Sequence, residues 1–430
     1  MPILGDSQTS WLLALALGSV ACTVNVADPG VEAGGQSASG GAGALAGGSG
    51  IAGGGQPTSG GGGGGAGGGG AGNGGTGGGG TSAAGAATGG AGGIAASGGA
   101  AGAGGGSAGG GVGGGGSGGT APAAASGLPV PPGPANVPKP NGAPGGLTVV
   151  DWAGFKAAVS YTFDDSNSSQ ISHYDQLAAL GVRFTFYLQT GKSESTNAVW
   201  AKAAAAGHEL GNHSKSHSSN ATGEDVDAAT QFIESRFGVK VWTMAAPNGA
   251  AGYTNVAKTR FLINRGVANG LIGPNDNTDP FTLFCYIPPT GAQKAAFDAQ
   301  VNDARSAGKW RVVLVHGFSG GSDGAYQPVA FDQFSSSVTA AKALGDVWID
   351  SVVNIGAYWR GQKAFSQVMP TSAGGEQTWT WKLPDHFPPG KYLRVKVTGG
   401  TLKQKGAALP WDPHGYYELA LDDGSVTLGP

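Results

Sequence analysis

The sequence is short of cysteine, histidine and charge. Of 430 residues only Cys22 and Cys285 are cysteines, and only seven are histidines. Cys22 closes an N-terminal apolar run; if it is lipidated, Cys285 has no partner and the folded part contains no disulfide. Cys285 lies in the apolar stretch FTLFCYIPP, where a small buried thiol is the expected reading. Basic and acidic residues number 24 and 27, for a net charge of −3. No basic patch results, so nucleic acid is not an expected partner. The apolar run itself, Trp11 to Val20, is too short to cross a bilayer as a helix.

A long part of the chain also lacks apolar side chains. Glycine supplies 86 residues, most of them before Leu147, and from about Gly34 to Gly119 the sequence is Gly with Ala, Ser and Thr. Such a stretch cannot offset the entropy of ordering and is expected to stay disordered. Its short G-x-G-x-x-G matches are by-products of composition and signal no dinucleotide site. The following PVPPGPANVPKPNGAPGG is Pro-rich and should be stiffer and more extended. Residues 23–146 therefore read as a disordered linker, and its Gly-rich part, as a coil of roughly 90 residues, would span about 50 Å. Residues 1–22 read as a secretory signal peptide. Ala21-Cys22 resembles the cleavage box of bacterial lipoproteins, in which the Cys is lipidated. Ser19 stands where that box usually has Leu, and no Lys or Arg precedes the apolar run. The expectation is export, with a lipid anchor in a bacterial membrane at Cys22 or, failing that, secretion.

After Gly146 strand-like and helix-like segments alternate. KAAVSYTF, VRFTFYLQ, HELGNH, VKVWTMAAP, RVVLVHGF and VWIDSVV read as strands. ISHYDQLAALGV, TNAVWAKAAAAG, GEDVDAATQFIESRFG, QKAAFDAQVNDARSAG and PVAFDQFSSSVTAAKALG read as helices. This is the pattern of βα units around a mostly parallel sheet, open or closed into a barrel, over residues 147–366. In such folds the loops after the strands' C-terminal ends carry the chemistry. From about Thr371 the pattern changes to strand period in QTWTWKL, KYLRVKVTGG and GYYELALDDGSVTL. Residues 371–430 are expected to form a small all-β module. Its Trp379, Trp381, Trp411, Tyr416 and Tyr417 fit a sugar-stacking face or, more commonly, a small β core.

Three strands end in reactive groups. The first ends in TFDD, with Asp164 beside Asp165; HELGNH runs into HSKSH, with His213 and His217 four apart; RVVLV ends at His316. Adjacent residues at a strand end point in different directions, so one carboxylate can hold a metal while its neighbour faces substrate. Each group alone has an ordinary reading as a cap or a loop residue. Together, in a chain so poor in His and charge, they point to one rim. Two imidazoles and a carboxylate leave open positions on a metal, and a second Asp as base with a second His as acid completes metal-assisted hydrolysis. His173 and His208 carry no such pattern and read as structural.

TFDD, HSKSH and LVH, in that order, resemble three signature motifs of the polysaccharide deacetylases, the NodB-homology carbohydrate esterases. DVWIDSVVNIGAYWR is similar to the way one branch of that family ends, and the resemblance covers roughly Thr148 to Arg360. It implies a distorted (β/α) barrel, one divalent metal, commonly zinc with cobalt, manganese or nickel as alternatives, and removal of N- or O-acetyl groups from chitin, peptidoglycan or xylan. It also implies roles. Asp165, His213 and His217 would ligate the metal, Asp164 would be the base, His316 the acid toward the leaving group, and Leu314 would line the acetyl pocket. The family's third motif, an Arg followed one residue later by Pro and then an aromatic, is altered here to Ala245, Ala246, Pro247, Asn248. Asn248 can still offer its backbone N–H to an oxyanion, but the Arg that holds the base is missing, with Arg183, Arg260 and Arg265 as candidate substitutes. Ser166-Asn167 also replaces the usual Gly-Pro. The missing Arg motivates one alternative, an impaired carbohydrate-binding protein on the same fold; a metal-dependent amidase or esterase acting on a non-sugar is the other.

Overall fold

The computed structural model describes residues 126–430; the readings at Cys22 and of the linker up to residue 125 lie outside the described residues. Past a two-residue strand β1 (Thr148–Val149) come seven parallel strands: β2 (Ala157–Phe163), β3 (Thr185–Leu188), β4 (Glu209–Asn212), β5 (Thr243–Ala245), β6 (Ile263–Arg265), β7 (Trp310–Val315) and β8 (Val347–Ile349). They pair in the order β6-β5-β4-β3-β2-β7, with β8 added to the first half of β2. The gap between β6 and β7 is bridged by residues 283–286, where Leu283 bonds to Asn264 and Gly266 and Tyr286 to Val312 and Leu314. An irregular segment thus stands where a regular barrel would place a strand. The result is the distorted (β/α) barrel that the motifs implied. Cys285 sits fully buried in this bridge.

The helices follow the βα rhythm. They are α1 (Ser168–Ser172), α2 (Tyr174–Ala179), α3 (Val199–Ala205), α4 (Gly223–Phe237), α5 (Gly252–Lys258), α6 (Lys294–Ala307), α7 (Phe331–Ala343) and α8 (Val352–Ser366). Local chemistry sets their ends: Thr222 caps α4 by accepting from the Asp225 N–H, and Gly238 closes it in the left-handed conformation that glycine adopts without a Cβ penalty. β2 is buried along its whole length. Val159, Tyr161 and Phe163 face a core shared with the helix layer, which holds Phe184, Phe186 and Phe334. Ala158 belongs to a second core, with Trp310, Val312, Leu314 and Trp359.

That second core continues into the C-terminal region. β9 (Thr371–Ala373), β10 (Glu376–Thr380), β11 (Tyr392–Lys396), β12 (Thr401–Gln404), β13 (Ala407–Ala408), β14 (Tyr417–Ala420) and β15 (Ser425–Gly429) form two antiparallel sheets. The all-β character is as expected, but the composition of the sheets is not: β1 pairs with β11, so a strand assigned to the barrel side belongs to the module. Trp379, Trp381, Tyr416 and Tyr417 are buried and Trp411 is half-buried, which makes them core and removes the sugar-stacking reading. The Pro-rich end of the expected linker also differs. Residues 126–146 lie against the module: Val137 bonds backbone to backbone with Pro413, the Trp411 indole donates to the Val137 carbonyl at 2.9 Å, and Gly145 bridges Gly399. Prolines cannot donate, but their carbonyls accept, and Arg394 exploits this by donating to Pro129 and Ala153 at 2.8 Å each.

Candidate active site

Backbone conformation marks the site first. Of ten non-glycine residues with positive φ among those described, five are Asp165, Ser166, Ser214, His217 and Asn248. Such conformations cost energy and persist where surrounding bonds over-determine them. Those bonds are present. Ser166 accepts from the Gln189 N–H, Ser214 accepts from the His217 N–H at 2.9 Å, and Asp225 at the start of α4 accepts from Lys215 and Ser216. Ser214, the second residue of HSKSH, thereby orients the loop between the two histidines.

Asp165, His213 and His217 converge. His213 Nε2 and His217 Nε2 approach Asp165 Oδ1 at 3.3 and 3.2 Å, and one donor atom from each residue lies within 4.8 Å of the other two. His213 Nδ1 is 2.9 Å from the Ala245 carbonyl; donation there leaves the Nε2 lone pair facing Asp165. Asp165 Oδ1 and Asp164 Oδ1 are buried without a hydrogen-bond partner among the described residues. Uncompensated buried carboxylate oxygens are costly, and two imidazole lone pairs beside them form the donor set that a divalent cation fits. Burial acts to raise the Asp165 pKa; with no ion held and the imidazoles protonated at Nε2, the two rings outweigh burial and hold it well below the usual carboxylate range. For His213 burial acts to lower the pKa, and Asp164 and Asp165 reverse the sign.

The cation missing from β5 comes from the next strand. Arg265, fully buried at the end of β6, pairs with Asp164 Oδ2. It stands in direct register with Ala245, so the guanidinium has moved one strand sideways at the same level. Its charge centre also lies 5.6 Å from the Tyr187 ring. The other candidates are occupied: Arg183 bonds Asp350 at 3.2 Å, and Arg260 bonds Asp227 at 2.7 and 2.9 Å.

His316 follows β7, and α1 holds its backbone. The Gln170 amide donates to both the Asp164 and His316 carbonyls, at 2.5 and 2.7 Å, and Asn167 donates to His316 at 2.8 Å. The departure from Gly-Pro therefore ties two strand ends together, and Gln170 is a positioning residue that the sequence did not reveal. Burial lowers the His316 pKa, with Asp164 and Asp165 partly opposing. Asn248 uses its side chain to hold the His217 carbonyl and Ser219, and its backbone N–H is unpartnered among the described residues.

One cleft of about 370 Å³ gathers Asp164, Asp165, His213, His217, Asn248, Leu314 and His316, a size suited to a small ligand or one end of a larger one. A hollow of about 640 Å³ opens where β3 and β4 begin, but Arg183 there is committed to Asp350 and no donor cluster among the described residues faces it. His173 and His208 stay structural: His173 stacks on Phe331, and His208 accepts from the Phe184 N–H at 3.0 Å.

Residues 154–262 match the family model described as polysaccharide deacetylase. That match falls on the family which the motifs suggested; it takes in TFDD and HSKSH and ends before His316. Among solved structures, a carbohydrate esterase domain of a multidomain xylanase from the hindgut metagenome of Trinervitermes trinervoides is 21% identical, at a TM-score of 0.33, covering 46% of this chain and 89% of that one. A peptidoglycan deacetylase from Bacillus subtilis is 17% identical, with TM-score 0.31 and the same coverages of 46% and 89%. A family 4 acetyl xylan esterase from Clostridium thermocellum, crystallised with a cobalt ion, has the same 17%, 0.31, 46% and 89%. No curated protein matches the chain.

Proposed function

We propose that the protein is a metal-dependent hydrolase that removes acetyl groups from an extracellular polysaccharide. The observation that carries this reading is the convergence of Asp165, His213 and His217 beside an Arg265-paired Asp164 and His316 in one cleft. Asp165, His213 and His217 would hold the ion, zinc first and cobalt, manganese or nickel as alternatives. When bound, it supplies Lewis acidity toward water and the acetyl carbonyl. Asp164, oriented by Arg265, accepts the proton of the attacking water. The Asn248 N–H donates to the developing oxyanion, and Leu314 meets the acetyl methyl. His316 protonates the leaving amine or alkoxide, and burial, by lowering its pKa, makes its protonated form a readier donor. The impaired-binder alternative loses its motive, because the base has a buried cation after all.

We further propose that the enzyme works outside the membrane, anchored through Cys22 or otherwise secreted; for the anchored form, labelling with a radioactive fatty acid that disappears in Cys22→Ser is the expected result. The activity is tested by acetate release from acetylated chitooligosaccharide, peptidoglycan and acetylxylan, metal-loaded and then chelated. Asp164→Asn should retain one metal per chain while turnover drops by about 10²–10⁴, the usual range for a general base. Full turnover in that variant, or in the chelated enzyme, would sink the mechanism.

A further inference from the structure

Among the described residues a single Phe, Tyr or Trp side chain is exposed, and it stands at the mouth of this cleft. Tyr326 is 59% exposed, lines the cleft, and sets its ring nearly perpendicular to that of His316, centroids 5.2 Å apart. Of the five large apolar residues that are exposed, a second, Val267, lines the same cleft. Exposed apolar surface gathered at one place marks a binding surface.

The loop that carries Tyr326 is held in place. Across its base the Ser319 N–H donates to the Val329 carbonyl and the Val329 N–H to the Gly317 carbonyl, and Asp323 accepts from the Ser169 N–H at 2.7 Å. Gln327, the next residue, is held at φ 48°. Val267 is confined as well, since a Cβ on Gly249 would come within 2.3 Å of it. Among the described residues no Lys or Arg side chain lines the cleft, so apart from an ion held by Asp165, His213 and His217 nothing there draws an anionic substrate.

We infer that Tyr326 and Val267 are the walls of a second subsite, which grips a neutral pyranose ring next to the one bearing the acetyl group. A pyranose presents a flat face of C–H groups that packs on an aromatic ring, and its hydroxyls remain in water at the open rim. The substrate class is then a neutral, acetylated oligosaccharide of at least two residues. The same packing covers His316 and keeps water from the leaving-group side. This inference rests on the deacetylase reading and narrows its substrate.

The test is calorimetric titration of the full chain, carrying Asp164→Asn to prevent turnover, with fully acetylated chitotetraose and acetylated xylotetraose. Adding Tyr326→Ala should weaken the better tetramer about tenfold, the equivalent of roughly 1.4 kcal/mol, and Tyr326→Phe should stay within about twofold because the ring is kept. Equal affinity of the Tyr326→Ala form and its parent overturns the subsite and leaves the deacetylase reading intact. Tighter binding of an acetylated oligogalacturonate than of both neutral tetramers overturns the neutral-substrate assignment. If the parent binds neither tetramer while the wild type cleaves a small aryl acetate, the glycan reading falls and the subsite with it.

Discussion

At the scale of single residues, Arg265 is the point where sequence and structure part. TFDD, HSKSH and LVH were legible because each ends an apolar strand in groups too polar for a core. Arg265 was not, because β6 has three residues and so no alternation by which to recognise it. The register of β6 with β5 turns this into a prediction. Arg265→Met leaves Asp164 buried beside no cation, which costs about 3–5 kcal/mol of stability and should cut acetate release at least tenfold. Adding Ala245→Arg, at the position in register, should restore both the melting temperature and kcat in part; no recovery in the double variant would mean that level in the sheet is not what matters. His208 gives a pH prediction. Burial, reinforced by Arg183, lowers its pKa from 6.5 to about 4, and its Nδ1 must stay unprotonated to accept from Phe184. Above pH 6.5 the ring is neutral in both states and its contribution to stability is complete. As pH falls from 6.5 toward 4, the unfolded chain takes up a proton that the fold refuses, and stability is lost. Melting temperature across that window should fall more steeply for the wild type than for His208→Gln.

At the scale of elements, the βα rhythm was readable wherever a strand or helix was long enough to show its period. Two pieces escaped. The bridge at 283–286 lacks a regular strand's pattern because it pairs in turn with two neighbours. The docked arm, residues 126–146, looks like linker by composition, since prolines and glycines contribute few apolar contacts. What fixes it is a residue far away in sequence. Arg394, fully buried, donates to the Pro129, Leu128 and Ala153 carbonyls and pairs with Glu418. Charge-assisted bonds of this kind are the strong ones, and removing the cation strands both a carboxylate and the carbonyls. Arg394→Met should therefore lower the melting temperature by about 10 °C, taking 3–5 kcal/mol at 2–4 °C each. A chain beginning at Thr148 should show a smaller loss and faster proteolysis at the module, whereas one beginning at Ser126 should match the full chain. Identical melting of the Thr148 and Ser126 forms would mean that the arm contributes nothing.

At the scale of the described molecule, the division into barrel and module does not follow the core. α8 ends the barrel and faces the module: Tyr358 Oη accepts from the Arg394 N–H, a Cβ on Gly361 would come within 2.6 Å of Leu421, and Phe365 packs on Trp381 at 5.4 Å. Trp310, Trp359, Trp381 and Leu428 belong to one continuous apolar cluster. A chain ending at residue 366 would return to water the barrel side of that cluster, at about 1.5–3 kcal/mol for each large side chain re-exposed. A few such residues equal the whole net stability of a typical domain. The full chain should accordingly melt in one transition, with tryptophan fluorescence, far-ultraviolet dichroism and acetate release lost at the same temperature. The chain cut at 366 should bind a hydrophobic dye and release no acetate. Two separated transitions, with activity surviving the first, would instead make the module an independent appendage and leave the barrel's core complete without it.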